Sequence, residues 1–152
     1  IGMKNIILNI SDGDKHFESA VKEYLKRLGN NMVIMENIKP SKNWTPKQMI
    51  EKDTEKIIEI LEKKYWNAFK ILLSKDGEKI DTMNLCKVWK WYGVIVFVIW
   101  WPYGLNEEIL MKKVNKSISF WNITMPHWLA KLVLLEQIFR IDCIEKNKSY
   151  HY

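Results

Sequence analysis

Apolar and polar positions along the chain switch repeatedly between period two and period 3.6, and the switches mark out the elements. Residues 4–10, KNIILNI, are a β-branched run closed by Ser11-Asp12-Gly13, which predicts a strand ending in a turn. Phe17, Ala20, Val21, Tyr24, Leu25 and Leu28 then recur at the spacing of one helical stripe, and Gly29 follows as a stop. Residues 32–38 predict a second strand. After a loop over 40–44, Thr45-Pro46-Lys47-Gln48 supplies an N-cap, a first-turn proline and a capping-box glutamine at the offsets that motif needs. Ile50, Ile57, Ile58 and Leu61 carry that helix to residue 64. Residues 69–74 predict a strand ended by Asp76-Gly77, and 81–91 a helix. Gly93 breaks the chain before 94–101, whose continuous apolar run is what a parallel strand covered on both faces requires, so it belongs at the centre of the sheet. A helix over 106–114 capped by Asn106, a short strand over 117–120 and a long helix from Pro126 to Lys146 complete the series.

Leu129, Leu132, Val133, Ile138, Phe139 and Ile144 make that last helix apolar over too wide an arc for one stripe. It must pack on two surfaces, either core and sheet or core and a second subunit. Strands alternating with helices, without a linker, repeat or low-complexity tract, predict one α/β domain with a mostly parallel sheet and helices on both faces. Met3 is a natural start, so Ile1 and Gly2 read as a vector remnant and the domain as 3–152.

At 152 residues, 47% apolar and 28% charged, the chain can bury one sizeable core. Lys and Arg number 24 against 18 Asp and Glu, which suits a polyanion such as RNA. The surplus is spread thinly, and ordinary solubility charge is an equal alternative. Cys86 and Cys143 are far apart with no CxxC pair, which points away from zinc and toward a reducing compartment, the cytoplasm. The longest apolar run, 94–101, is eight residues, too short for a membrane helix, and the first segment lacks the basic n-region of a signal peptide. Dinucleotide and P-loop glycine motifs are absent, no serine sits in a nucleophile elbow, and His16, His127 and His151 are spaced unlike a metal triad. Trp89 and Trp91 alternate with Lys87 and Lys90, a mixture able to stack RNA bases. Residues two apart on a helix face different ways, so the preferred reading is one buried indole and one at the solvent.

Four segments in order lift the reading above composition. They are Tyr24-Leu25-Lys26-Arg27-Leu28; Val96-Phe97-Val98-Ile99 with Gly104-Leu105; Ile123-Thr124-Met125-Pro126-His127; and Leu134-Leu135-Glu136-Gln137-Ile138-Phe139-Arg140 with a terminal Tyr150-His151. Together they resemble the RlmH family, SPOUT-class methyltransferases that act on a pseudouridine of large-subunit (23S) ribosomal RNA. The resemblance runs from Met3 across nearly the whole chain, with an apparent shortening around 87–93. It implies a trefoil knot at the C-terminal end of the sheet and S-adenosyl-L-methionine held in the knotted loops. The cofactor residues it implies are Leu73; Trp100 and Gly104; and Phe120, Trp121, Asn122, Ile123, Thr124 and Met125. Pro126 and His127 also fit the pattern. On residue type alone, Leu73 and Ile123 read equally as core and Pro126 as a first-turn proline. The resemblance further implies a homodimer whose shared active site takes Arg140, with Tyr150 and His151 folded beside the target base. His151 is the candidate base and Tyr150 an orienting donor. The plain alternative for Arg140 is a helix ion pair with Glu136, four residues earlier.

Where relatives carry a glycine pair this chain has Trp100-Trp101. Glycine lets backbone approach a ligand closely, whereas an indole adds roughly 150–250 Å² of surface. Three readings stand: an indole stacks on the adenine, the pocket is closed, or the sequence is altered from its natural form. The activity implied is methyl transfer to N3 of the pseudouridine, and the alternative is a catalytically silent RNA-binding or ribosome-assembly relative of the same fold.

Overall fold

The computed structural model describes residues 4–11, 15, 17–29, 31–100, 104–120 and 122–150, with the side chain of Trp100 left outside the description. The element order is β1 Lys4–Ile10, α1 Glu18–Leu28, β2 Val33–Ile38, α2 Pro46–Lys63, β3 Phe69–Lys79, α3 Thr82–Trp91, β4 Val94–Trp100, α4 Glu107–Met111, β5 Lys116–Ser119 and α5 His127–Glu145. The strands form one parallel sheet in the order β2-β1-β4-β3-β5, so β4 is central as its unbroken apolar run requires.

Alternation along each strand divides the core in two. Ile7, Ile71, Phe97 and Ile99 face α1, α3 and α5, meeting Val21, Trp89, Leu134 and Ile138. Ile6, Leu8, Leu72, Val96 and Val98 face the other way, against Ile57 and Leu61 of α2 and Leu110 of α4. Local chemistry sets the helix ends. Thr45 Oγ1 accepts from the Gln48 N–H at 3.3 Å while Gln48 Oε1 accepts from the Thr45 N–H at 3.1 Å, closing the capping box. Asp81 and Asn106 cap α3 and α4 through the N–H groups of Asn84 and Ile109.

Several boundaries differ from the sequence expectation, most of all in β3, α4 and β5. The third strand does not stop before Asp76-Gly77 but continues to Lys79. Both Leu73 and Glu78 pair with Ile118 of β5, so residues 74–77 form an excursion from which the same strand returns. Gly77 permits this, because a Cβ there would lie 2.6 Å from the backbone carbon of Ile118. The helix expected over 106–114 is only Glu107–Met111. Lys112 and Lys113 tighten the last turn onto the carbonyls of Ile109 and Leu110. Asn115 is then clamped to β3, its N–H donating to Lys70 O at 2.9 Å and its Oδ1 accepting from the Lys70 N–H at 2.8 Å. That clamp pulls the chain into the sheet one residue early, and Phe120 falls beyond β5.

The wide apolar arc of α5 is largely used within the chain. Beyond its sheet contacts, Trp128 stacks on Phe17 with ring centroids 3.7 Å apart, Phe139 meets Tyr24 of α1, and Gln137 accepts from the Thr82 hydroxyl of α3 at 2.6 Å. Trp89 is buried at 1% exposure while Trp91 is 81% exposed, the division expected for residues two apart on α3.

Candidate functional site

Parallel strands bring their C-terminal ends to one edge of the sheet, and ligands of open α/β folds collect there. At that edge β3, β4, β5 and the start of α5 enclose a cavity of about 610 Å³, within the size range of small-molecule sites. Its floor is Leu73, Ile99 and Ile118, buried apolar residues toward the C-terminal ends of β4 and β5 and at the point where β3 leaves the sheet. Phe120, Ile123, Thr124 and Met125 follow from the loop after β5, and Pro126, His127 and Ala130 from the first turn of α5. Ser74, Lys75, Gly104 and Glu107 line the side of the β3 excursion, and Ser119 of β5 completes the lining.

Each part is tied down. Gly104 has φ +93°, a left-handed conformation that favours glycine and turns the chain from β4 toward α4. Buried Leu105 follows, and the Asn106 N–H donates to Thr54 Oγ1 of α2 at 2.9 Å. Glu107 is thereby placed at the cavity, where its Oε2 accepts from the Ser74 hydroxyl at 3.0 Å. Ser74 is buried, and its oxygen accepts the Asp76 N–H at 3.2 Å, which fixes the excursion. At the start of α5, His127 Nε2 lies 3.5 Å from Ser11 Oγ, joining the helix to the end of β1.

Of the expected cofactor residues, Leu73, Gly104, Phe120, Ile123, Thr124 and Met125 line this one cavity. Asn122 is exposed and is not part of the described lining. The Trp100 side chain and residues Trp101, Trp121 and His151 lie outside the described residues. Sequence reasoning missed Ser74, Lys75 and Glu107 as site residues, and took Ile99 and Ile118 only as strand positions. A serine and a lysine beside Asp76-Gly77 read as ordinary turn polarity, and a glutamate after an Asn cap reads as ordinary helix-start chemistry.

Arg140 and Tyr150 come together elsewhere. The Arg140 guanidinium donates from Nε and Nη2 to Glu136 Oε1 at 3.0 and 2.8 Å, so the helix pairing is present. The guanidinium carbon lies 4.9 Å from the centroid of the Tyr150 ring, and the Tyr150 hydroxyl is 3.4 Å from the same Glu136 oxygen. Phe139 meets the Tyr150 ring edge-on at 4.8 Å. The Glu136 hydrogen bond raises the Arg140 pKa further, and burial raises that of Tyr150. Ten residues separate Arg140 from Ala130 of the cavity, about 15 Å along the helix. One chain therefore does not bring this cluster to its own cavity. Among the described residues there is no group of three or more His, Cys, Asp or Glu placed to hold a metal, and no helix long and apolar enough to cross a membrane.

Comparison with known proteins agrees with the sheet and its edge. A family model described as "Predicted SPOUT methyltransferase" matches residues 3–151. The ribosomal RNA large subunit methyltransferase H of Pseudothermotoga lettingae is 33% identical, with 99% of this chain and 100% of that protein covered. Its namesake from Oenococcus oeni is 32% identical over 91% of both chains. A solved structure from Bacillus anthracis, described as a "putative RNA methyltransferase", superimposes with a TM-score of 0.61 at 14% identity, covering 97% of this chain and 99% of the other. The last of these speaks for the fold alone, but the first three span the strands, the excursion and the loop that build the cavity, and by them the chain belongs to the SPOUT methyltransferases, in the family of ribosomal RNA large subunit methyltransferase H.

Proposed function

We propose that this protein moves the methyl group of S-adenosyl-L-methionine onto N3 of a pseudouridine in large-subunit ribosomal RNA. It works in the cytoplasm, as a homodimer of single domains spanning 3–152. The observation that carries the reading is the cavity: Leu73, Gly104 and the group Phe120, Ile123, Thr124 and Met125, from three separate stretches of sequence, meet around one volume of about 610 Å³. The family further implies the C-terminal trefoil knot that would lock those stretches together.

The residues suit the cofactor. Ile99, Ile118 and Phe120 offer an apolar surface to an adenine ring, and the left-handed Gly104 leaves backbone free of a Cβ beside it. Bound there, S-adenosyl-L-methionine supplies a methyl group already activated as an electrophile. The chain's own task is then orientation and proton removal, because N3 must face that methyl in line and must lose its hydrogen. His151 is the residue proposed to accept the N3 proton, since an imidazole of ordinary pKa, about 6.5, is mostly neutral at physiological pH. Tyr150 orients the base through its hydroxyl. Arg140, held by Glu136 and the Tyr150 ring, steadies the developing negative charge. Since that cluster is distant from the cavity of its own chain, an isologous dimer that offers it to the partner's cavity completes the site.

The test is methyl incorporation from radiolabelled S-adenosyl-L-methionine into ribosomes that lack the modification, with the modified nucleotide mapped. One methyl group per large subunit on N3 of a pseudouridine is expected. Ribosome binding without methyl transfer would overturn the enzyme reading in favour of a silent RNA-binding relative.

A further inference from the structure

We infer that the Ser74, Lys75 and Glu107 side of the cavity holds the α-amino-carboxylate end of the methyl donor, with Glu107 taking the ammonium and Lys75 the carboxylate. This rests on the methyltransferase reading above and adds the way this chain orients its cofactor.

The cavity lining is divided by chemistry. Lys75 and Glu107 are the ammonium and carboxylate side chains of the described lining, and both stand on the side of the β3 excursion. Neither forms an ion pair with another described residue. Glu107 is nonetheless aimed: the Ser74 hydroxyl donates to its Oε2 at 3.0 Å, and the Asp76 N–H engages the same hydroxyl oxygen at 3.2 Å, which turns the Ser74 proton toward Glu107. Behind Glu107, the Asn106 bond to Thr54 fixes the backbone, and Leu110 is fully buried. A carboxylate held this way on one wall, with an ammonium on the same wall, is complementary to a zwitterion.

The sulfonium is the other cation of the donor, and two arguments place Glu107 away from it. A lone sulfonium would leave Lys75 without a counterpart, whereas the amino-acid end supplies both signs. A carboxylate beside the sulfonium would also compete with N3 for the methyl group, while the ammonium end carries nothing to transfer. With the amino-acid end on this wall, the adenine falls on the apolar floor and the sulfur between them.

Titration calorimetry with three compounds tests the assignment. S-adenosyl-L-methionine and S-adenosyl-L-homocysteine share the amino-acid end and differ at sulfur, while 5′-methylthioadenosine lacks that end. Glu107→Gln keeps the size and the oxygen that Ser74 donates to. It is expected to weaken the first two alike, about tenfold or about 1.4 kcal/mol, and to leave the third unchanged. Lys75→Met, at an exposed position, is expected to give the same pattern more weakly. Loss confined to S-adenosyl-L-methionine would place Glu107 at the sulfonium and overturn the assignment. So would equal loss for all three compounds, the mark of a structural role, or no loss for any. If the unaltered protein bound none of them, the methyltransferase reading itself would fall, and this inference with it.

Discussion

Gly77→Ala isolates the excursion that shapes the cavity. The added Cβ would lie 2.6, 2.7 and 2.8 Å from the backbone C, N and Cα of Ile118. Carbon atoms pack best at about 3.5–4.0 Å, so β5 must retreat by roughly 0.9 Å or the excursion must open by as much. The obstruction is sheet backbone, which no rotamer change relieves, and overpacking of this kind costs about 1–3 kcal/mol. Against it stands the lower entropy of an unfolded chain bearing Ala, worth about 0.4–1 kcal/mol where the native φ suits Ala. A net loss of about 1–2 kcal/mol is expected, which for a chain of 152 residues lowers Tm by about 2–8 °C. Gly93→Ala is the matched control, because nothing lies within 4 Å of its added Cβ, and it should be neutral or slightly stabilising. Urea titrations of both variants, followed by circular dichroism, make the comparison. A Gly77→Ala protein as stable as Gly93→Ala would refute the close approach of β3 and β5. Since Ile118 and Ser119 line the cavity, the same variant should also bind the methyl donor less tightly.

Thr45→Ala removes the side-chain half of the capping box at α2, the Gln48 N–H bond to Thr45 Oγ1, and should cost about 0.5–2 kcal/mol in the same titration. Trp89→Ala, deleting a side chain 1% exposed, should cost about 3–5 kcal/mol, whereas Trp91→Ala, at 81% exposure, should stay within about 0.5 kcal/mol of the unaltered protein. The Cys86 thiol is pushed up from 9.0 to about 11, by burial first and then by its hydrogen bond to Glu145, so iodoacetamide at pH 8 should label it in urea but not in the native protein. The unfolded chain releases that proton first, so this contribution to stability is present below pH 9 and lost as pH rises toward 11; Cys86→Ala should flatten the slope.

Elements were legible wherever a boundary has a local cause. Thr45 and Gln48 announce the start of α2 because both halves of the box lie within four residues, and Gly29, with φ +81°, stops α1. The β3 excursion was illegible because Asp76-Gly77 would serve equally well in a terminating turn. What distinguishes the cases is the return of Glu78 to Ile118, forty residues away in sequence. Glu107 was hidden similarly, since its direction is set by Ser74 from another strand. The wide apolar arc of α5 left core and second subunit open, and the partners that settle much of it, Phe17, Tyr24 and Thr82, come from the N-cap of α1, α1 itself and α3. The proposed cofactor residues came from resemblance: Leu73 and Ile123 look like core until the chain has brought them to one cavity.

The cavity and the Arg140 cluster sit at different heights on one rigid element, and this constrains the proposed dimer. A 19-residue helix is about 28 Å long, and the cavity touches it at His127 and Ala130 while Arg140 lies three turns further on. Bending cannot join them, because Leu134, Leu135, Ile138 and Ile141 hold the intervening turns in the core. A two-fold axis can. In an isologous contact any residue that meets a second residue is itself met by the copy of that second residue, so one antiparallel approach of two α5 helices serves both cavities at once. The half-buried side chains of Leu129, Leu132, Val133 and Glu136 lie along the stretch that such an approach would cover. In the proposed dimer Glu136 would have a role apart from catalysis: by fixing Arg140 and Tyr150 on the helix in each separate chain, it would reduce the ordering that assembly and RNA binding require.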